Sequence, residues 1–185
     1  AAAAELERGF TGLLGAPVRR ADAPAAGAVV IGTPRSHSGI ASLGLPLGDV
    51  GDEGYVIRAA TMGGARVTVV AANSDVGVLY GAFALLRHVQ AGEALRDVDV
   101  ASAPRVRLRL LNHWDNLDRS VERGYAGRSL WDWYTLPEYR DPRYGDYARA
   151  NASLGINGTV LNNVNSKADS LTAPYIEKAA ALAEE

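Results

Sequence analysis

Between residues 112 and 123 the chain carries Asn112-His113-Trp114-Asp115-Asn116, then Asp118, then Glu122-Arg123; Asn162, Asn163 and Asn165 follow further along. An indole beside a carboxylate and a carboxamide suits a sugar. The ring covers the apolar face of a pyranose, while acids and amides take its hydroxyls. The asparagines are neutral donor-acceptors, matched to hydroxyls rather than to phosphates. Glu122 and Arg123 add opposite charges, and Gly124 and Gly127 permit close backbone approach. The candidate substrate-binding residues are therefore Trp114, Asp115, Asn116, Glu122, Arg123, Asn162 and Asn163. The same residue types also serve strand-end turns with Asx hydrogen bonds, and an ion pair bracing a long loop. Trp131, Trp133 and Tyr134 read as a hydrophobic plug or as a subsite wall.

Three acids in one loop, Asp115, Asp118 and Glu122, read as ligand holders or structural partners. Glycoside hydrolysis needs two carboxyl groups about 6.5–9.5 Å apart for inversion, or about 5–5.5 Å for retention. Spacing along a chain does not contain that distance. With no cysteine, thiolate metal sites and a Cys nucleophile are excluded. His37, His88 and His113 share no ligand spacing, so neither metal nor cofactor is expected. His113 alone reads as hydrogen-bonded scaffolding. A net charge of -2, from 19 basic and 21 acidic residues, offers no footprint for nucleic acid or an anionic membrane. No apolar run is long enough to span a bilayer. No leader is visible at the start, which favours a cytoplasmic over a secreted location as an expectation.

The composition shifts near Pro104. Nine aromatic residues lie beyond it against four before, and seven of the eight Asn lie beyond residue 110. Such residues carry polar groups that need partners when buried, so the second part looks like a site and the first like a scaffold. We expect domains at 1–104 and 105–185. The first is a small α/β unit, with a buried strand over 28–32 and an irregular connection over 39–54. Strands at 55–58 and 66–70 form a hairpin across Met62-Gly63-Gly64. Asn73-Ser74-Asp75 caps a helix over 76–90 that turns Val76, Leu79, Tyr80, Phe83, Leu86 and Val89 to the sheet. Beyond Pro104, Val106, Leu108 and Leu110 alternate with Arg105, Arg107 and Arg109, predicting a strand whose arginines meet acids. A loop over 113–139, a helix over 144–154, a strand over 159–161 and a helix from Thr172 complete a β-loop-α-β-loop-α order. Loops at the C-terminal ends of strands are where barrel enzymes place their sites. The fold class is thus α/β: a small α/β N-terminal domain followed by the first two βα units of a (β/α)8 TIM-type barrel.

The run Leu110 to Asp118, the run Glu122 to Gly127, Tyr147 to Ser153, Gly155-Ile156-Asn157-Gly158 and Leu161 to Asn165 resemble the α-glucuronidases of glycoside hydrolase family 67. Glu53-Gly54-Tyr55, and Gly77 to Phe83 with Leu86-Arg87, resemble that family's N-terminal domain. The resemblance implies an inverting hydrolase. Its substrate would be (4-O-methyl-)glucuronic acid, α-1,2-linked to xylan-derived oligosaccharides. It implies a three-part design of α/β domain, (β/α)8 barrel and helical C-terminal domain, a homodimeric full-length parent, and no metal. The family's general acid and base carboxylates come from later barrel strands, so no catalytic residue is expected among these 185 and the chain alone is expected to be inactive. Trp114 and its neighbours match the family's pocket wall. The alternative readings are a non-catalytic sugar-binding or regulatory module, and another exo-glycosidase of the same layout; the Asn112 to Asp118 run argues against the latter.

Overall fold

The computed structural model describes residues 1–185, which divide into two compact units, Ala1–Arg107 and Leu108–Glu185. In the first unit β3 (Ala65–Ala72) reads Ala-Arg-Val-Thr-Val-Val-Ala-Ala and is buried from Val67 to Ala72. A run that apolar requires cover on both faces of its sheet. The four-stranded order is β1-β3-β2-β4, with β1 (Val29–Gly32) parallel to β3. β2 (Tyr55–Met62) and β4 (Asp99–Ser102) run antiparallel to their neighbours. Val70 and Ala72 face one side, where they pack with Val78, Ala82 and Leu85 of α3 (Asp75–Gln90) and with Leu6 and Phe10 of α1 (Ala2–Leu14). Val69 and Ala71 alternate onto the other side, against Ile40, Leu47 and Val50. The stretch expected to be an irregular connection therefore covers that face, using the short α2 (Ser38–Ala41) and a 3-10 turn at Leu47–Asp49.

The β2–β3 hairpin turns through Gly63 and Gly64, both at positive φ (58° and 82°), which a two-residue turn matching the strand twist demands. Ser74 caps α3 by accepting from the Gly77 N–H at 3.2 Å. Tyr80 and Phe83 of the expected stripe are buried, but the helix buries further residues as well. Gly77, Val78, Gly81, Ala82 and Leu85 are buried, Val76 is exposed, and Leu79, Leu86 and Val89 are half-buried. The reason is that α3 is covered from two directions. Gly77 and Gly81 let it lie close on β2 and β3: a Cβ on Gly81 would stand 2.6 Å from Val70 Cγ1. On another side, Leu86 fills the space over Gly9 of α1. Neither α1 nor β4 was expected, although Ala2, Leu6 and Phe10, all buried, repeat at helical spacing.

In the second unit β5 (Leu110–Asn112) pairs in parallel with β6 (Gly158–Val160), joined through α4 (Pro142–Ser153), and α5 (Ala173–Ala183) follows β6. The β5 ladder is shorter than the alternation from Val106 predicts. It forms only where β6 provides a partner, and Val106 and Leu108 are exposed. Arg109 Nε donates to the Gly155 carbonyl, and its backbone exchanges hydrogen bonds with Asn157. The core of this unit is aromatic. Trp131 packs on Tyr144 and edge-on to Tyr147, and Trp133 lies 4.6 Å centroid to centroid from Tyr175.

Two outcomes follow from this packing. In Gly77→Ala the new methyl would stand 2.6 Å from the Gly54 carbonyl oxygen and 2.8 Å from Ala72 Cβ. Overpacking of that kind costs about 1–3 kcal/mol, against about 1 kcal/mol gained in helix propensity. The denaturation midpoint should fall with the m-value unchanged. Hydrogen exchange should be slowest in β3, which has a strand on each side and cover on both faces, and faster in the two-stranded β5–β6 pair. Equal protection of the two would contradict the packing just described.

Candidate functional site

Beyond Asn112 the backbone stays extended, with the His113 N–H donating to the Val160 carbonyl at 2.9 Å. Side chains then alternate. His113 is half-buried, Trp114 is 41% exposed and Asp115 only 3%. Asp115 forms an isolated antiparallel bridge with Val121, and Ser120 forms another with Arg128. The loop that carries the candidate residues is thus folded back on itself.

The inward side chains join one polar network. Asp115 Oδ2 accepts from Ser129 Oγ at 2.5 Å, and Ser129 Oγ accepts in turn from the Trp131 N–H at 3.0 Å. His113 Nδ1 stands 3.8 Å from Asp115 Oδ2, and His113 Nε2 lies 2.6 Å from the Tyr147 hydroxyl. That hydroxyl also reaches Thr159 Oγ1 at 3.2 Å, and Thr159 Oγ1 donates to the Leu111 carbonyl. From the loop after β6, the Asn163 N–H donates to the Asp115 carbonyl at 2.9 Å, while Asn163 Oδ1 accepts from the Asn165 N–H. Tyr175 donates its hydroxyl proton to Asn162 Oδ1. Burial raises the Tyr175 phenol pKa; the bond to Asn162 opposes the shift and the Asp115 charge adds to it. Lower in the loop, Arg119, at a φ of 70°, pairs its Nη1 with Asp132 at 2.5 Å.

The outward part of the loop holds Trp114, Glu122, Arg123 and Tyr125. Arg123 is exposed, Tyr125 is 74% exposed and Glu122 is half-buried. Glu122 adopts a φ of 57°, a left-handed conformation uncommon outside glycine. Its N–H donates to the Trp114 carbonyl at 2.7 Å. Desolvation and the Glu122 charge together raise the Tyr125 phenol above its ordinary pKa. Asp118 accepts from both the hydroxyl and the N–H of Ser120, which lowers its carboxyl pKa.

Of the seven sequence candidates, Trp114, Glu122 and Arg123 thus share the outward stretch of one loop. Asp115 and Asn163 lie beneath, buried, and tie that loop to the one after β6. Asn116 and Asn162 are half-buried, each already hydrogen-bonded within the fold. Trp131 and Trp133 form a buried plug, while Tyr134 is exposed and lies outside it. Ser129, Tyr147, Thr159 and Tyr175 escaped the sequence reading as members of the network. Hydroxyls give no spacing signal, and their partners lie up to 48 residues away, as for Thr159 and Leu111. No group of three or more His, Asp or Glu side chains is placed to hold a metal ion. The arrangement offers an aromatic face, a carboxylate and a guanidinium on a loop braced from below.

Residues 1–85 match the model of the glycosyl hydrolase family 67 N-terminus, and residues 88–185 match that of the glycosyl hydrolase family 67 middle domain. The chain is 33% identical over 192 residues to alpha-glucuronidase A of Emericella nidulans, an alignment covering 99% of this chain and 22% of that protein. It is 31% identical over 186 residues to probable alpha-glucuronidase A of Aspergillus oryzae, covering 98% of this chain and 21% of the relative. The chain therefore spans about a fifth of the length of the curated relatives it matches. Among solved structures, a family GH115 4-O-methyl-alpha-glucuronidase, BtGH115A, described as specific for decorated arabinogalactans, superposes with a TM-score of 0.56. That match has 16% identity and covers 85% of this chain and 23% of the other, so it is a likeness of fold. With one family domain matched on each side of residues 86 and 87, the chain belongs to glycosyl hydrolase family 67.

Proposed function

We propose that this chain is part of an inverting α-glucuronidase that removes (4-O-methyl-)glucuronic acid, α-1,2-linked, from xylan-derived oligosaccharides. In this reading residues 1–104 are the N-terminal α/β domain, and residues 105–185 open the catalytic (β/α)8 barrel. Support for the barrel comes from the order β5-α4-β6-α5 with parallel pairing of β5 and β6. The observation that carries the function is the grouping of Trp114, Glu122 and Arg123 on the loop at the C-terminal end of β5, in a chain of family 67. There Trp114 covers the apolar face of the uronic acid ring, Glu122 accepts from ring hydroxyls, and Arg123 supplies positive charge for an acidic sugar. Asp115, Asn162 and Asn163 brace this wall from below.

Inversion requires one carboxylic acid to protonate the leaving oxygen and one carboxylate to activate water on the opposite face of the sugar. Asp115 is unsuited to either task, being 3% exposed and engaged by Ser129. We assign both tasks to barrel strands other than β5 and β6.

The pure 185-residue chain should release no glucuronic acid from aldouronic acids, whereas a protein of the relatives' full length that contains it should. Release by the short chain, with contaminating enzyme excluded, would sink this assignment. In the full-length protein, Trp114→Ala should lower kcat/KM by tenfold or more, equivalent to about 1.4 kcal/mol of transition-state binding. Because the ring is 41% exposed, the Tm should hardly move. A large fall in Tm with near-normal kinetics would make Trp114 a packing residue instead.

A further inference from the structure

The carboxamide of Asn116 has two N–H donors, and the fold uses both. Nδ2 donates to Ser120 Oγ at 3.0 Å and to the Glu122 carbonyl at 2.8 Å. The backbone of Asn116 is occupied as well, donating to the Ser120 carbonyl at 2.8 Å and accepting from the Arg119 N–H at 3.0 Å. A sugar hydroxyl acting as acceptor would have to displace one of these side-chain bonds. Glu122, at the other end of the contact, sits at a φ of 57°. A non-glycine residue keeps that conformation only where its surroundings over-determine it. Two bonds do so here: the Glu122 N–H reaches the Trp114 carbonyl, and the Glu122 carbonyl receives the Asn116 amide. The first bond ties Glu122 to the residue bearing the aromatic face. The second sets the rotation of the peptide that follows it.

We propose that Asn116 is a positioning residue and not a sugar contact: its amide holds Glu122 in the left-handed conformation and so sets where the Glu122 carboxylate stands on the loop that carries Trp114. Its relevance to catalysis rests on the reading of Glu122 as a sugar ligand given above. The geometry itself does not. Glu122→Gln removes the charge, whereas loss of Asn116 leaves the charge in place but lets the peptide rotate and the carboxylate move.

Tyr125 reports that position without any sugar, because its phenol pKa is raised by desolvation and then by the Glu122 charge. The experiment follows the phenol titrations of the 185-residue chain by NMR with 13C-labelled tyrosine, assigning Tyr125 through Tyr125→Phe. In Glu122→Gln the Tyr125 midpoint should fall toward that of a free phenol. Asn116→Ala should produce most of the same fall, and the double variant should fall no further than Glu122→Gln. Asn116→Leu, of similar size and uncharged but lacking both donors, should behave like Asn116→Ala, and it decides the matter if the alanine variant does not fold. Ser120→Ala removes the other acceptor of the amide and should leave Tyr125 near its wild-type midpoint. A Tyr125 midpoint that Asn116→Ala and Asn116→Leu leave unmoved overturns the proposal. So does an equal fall in Ser120→Ala, which would mean that the whole loop had loosened. If the Asn116 variants shift Tyr125 but Glu122→Gln leaves kcat and KM of the full-length protein unchanged, the sugar reading of Glu122 fails and the positioning role stands.

Discussion

A carboxylate taken out of water needs partners, and the partners found by Asp115 organise the second unit of this chain. Its side chain takes the Ser129 hydroxyl, Ser129 takes the Trp131 N–H, and its own carbonyl takes the Asn163 N–H. Three stretches far apart in sequence meet at one residue: the loop after β5, the segment that starts the aromatic plug, and the loop after β6. With Asp115 turned inward, the strand alternation turns Trp114 outward and brings His113 inward beside Trp131 and Tyr147. An exposed indole next to a buried acid is thus one geometric fact and not two.

The outward wall inherits its shape from that anchor. The bridge from Asp115 to Val121 brings Glu122 against Trp114; Arg119 within the turn it closes, and Glu122 just past it, both stand at positive φ. Arg119 is compensated by its ion pair with Asp132. Glu122 is compensated by its bonds to Trp114 and Asn116. Backbone strain of this kind collects where side chains have to be presented in one direction. The aromatic plug beneath, with Trp131 and Trp133 each 3% exposed, gives the loop a rigid floor.

The first unit solves a different problem, that of covering both faces of a sheet whose central strand is almost wholly apolar. The hairpin and α3 were legible because their signals are local: a Gly-Gly turn between β-branched runs, and a Ser cap before a periodic helix. The second cover, residues 38–50, was not. Its buried members Ile40, Leu47 and Val50 are separated by Gly44, Pro46 and Gly48, which break any single element, and their burial is decided by β3 on the other side of the contact. The additional buried residues of α3 lie outside the local signal for a related reason. Periodicity finds the large residues, but the closest contact with the sheet is made by Gly77 and Gly81, where the absence of a side chain is the feature.

By itself the sequence determined the mixed α/β character, the hairpin, α3, the β-loop-α-β-loop-α order beyond Pro104, and the loop in which the candidate residues lie. Each is written in patterns shorter than about two helical turns, or in motifs long enough to match a family. Tertiary structure alone decided which of those candidates face outward. Asp115, Asn116, Glu122 and Asn163 are all polar residues suited to a sugar, and nothing in their order separates ligand from brace. The separation comes from partners the fold supplies: Ser129 claims the Asp115 carboxylate, the Asn165 N–H claims the Asn163 carboxamide oxygen, and Tyr175 claims that of Asn162. A polar side chain whose hydrogen bonds are satisfied within the fold has less to offer a ligand, and that satisfaction is a property of the folded molecule.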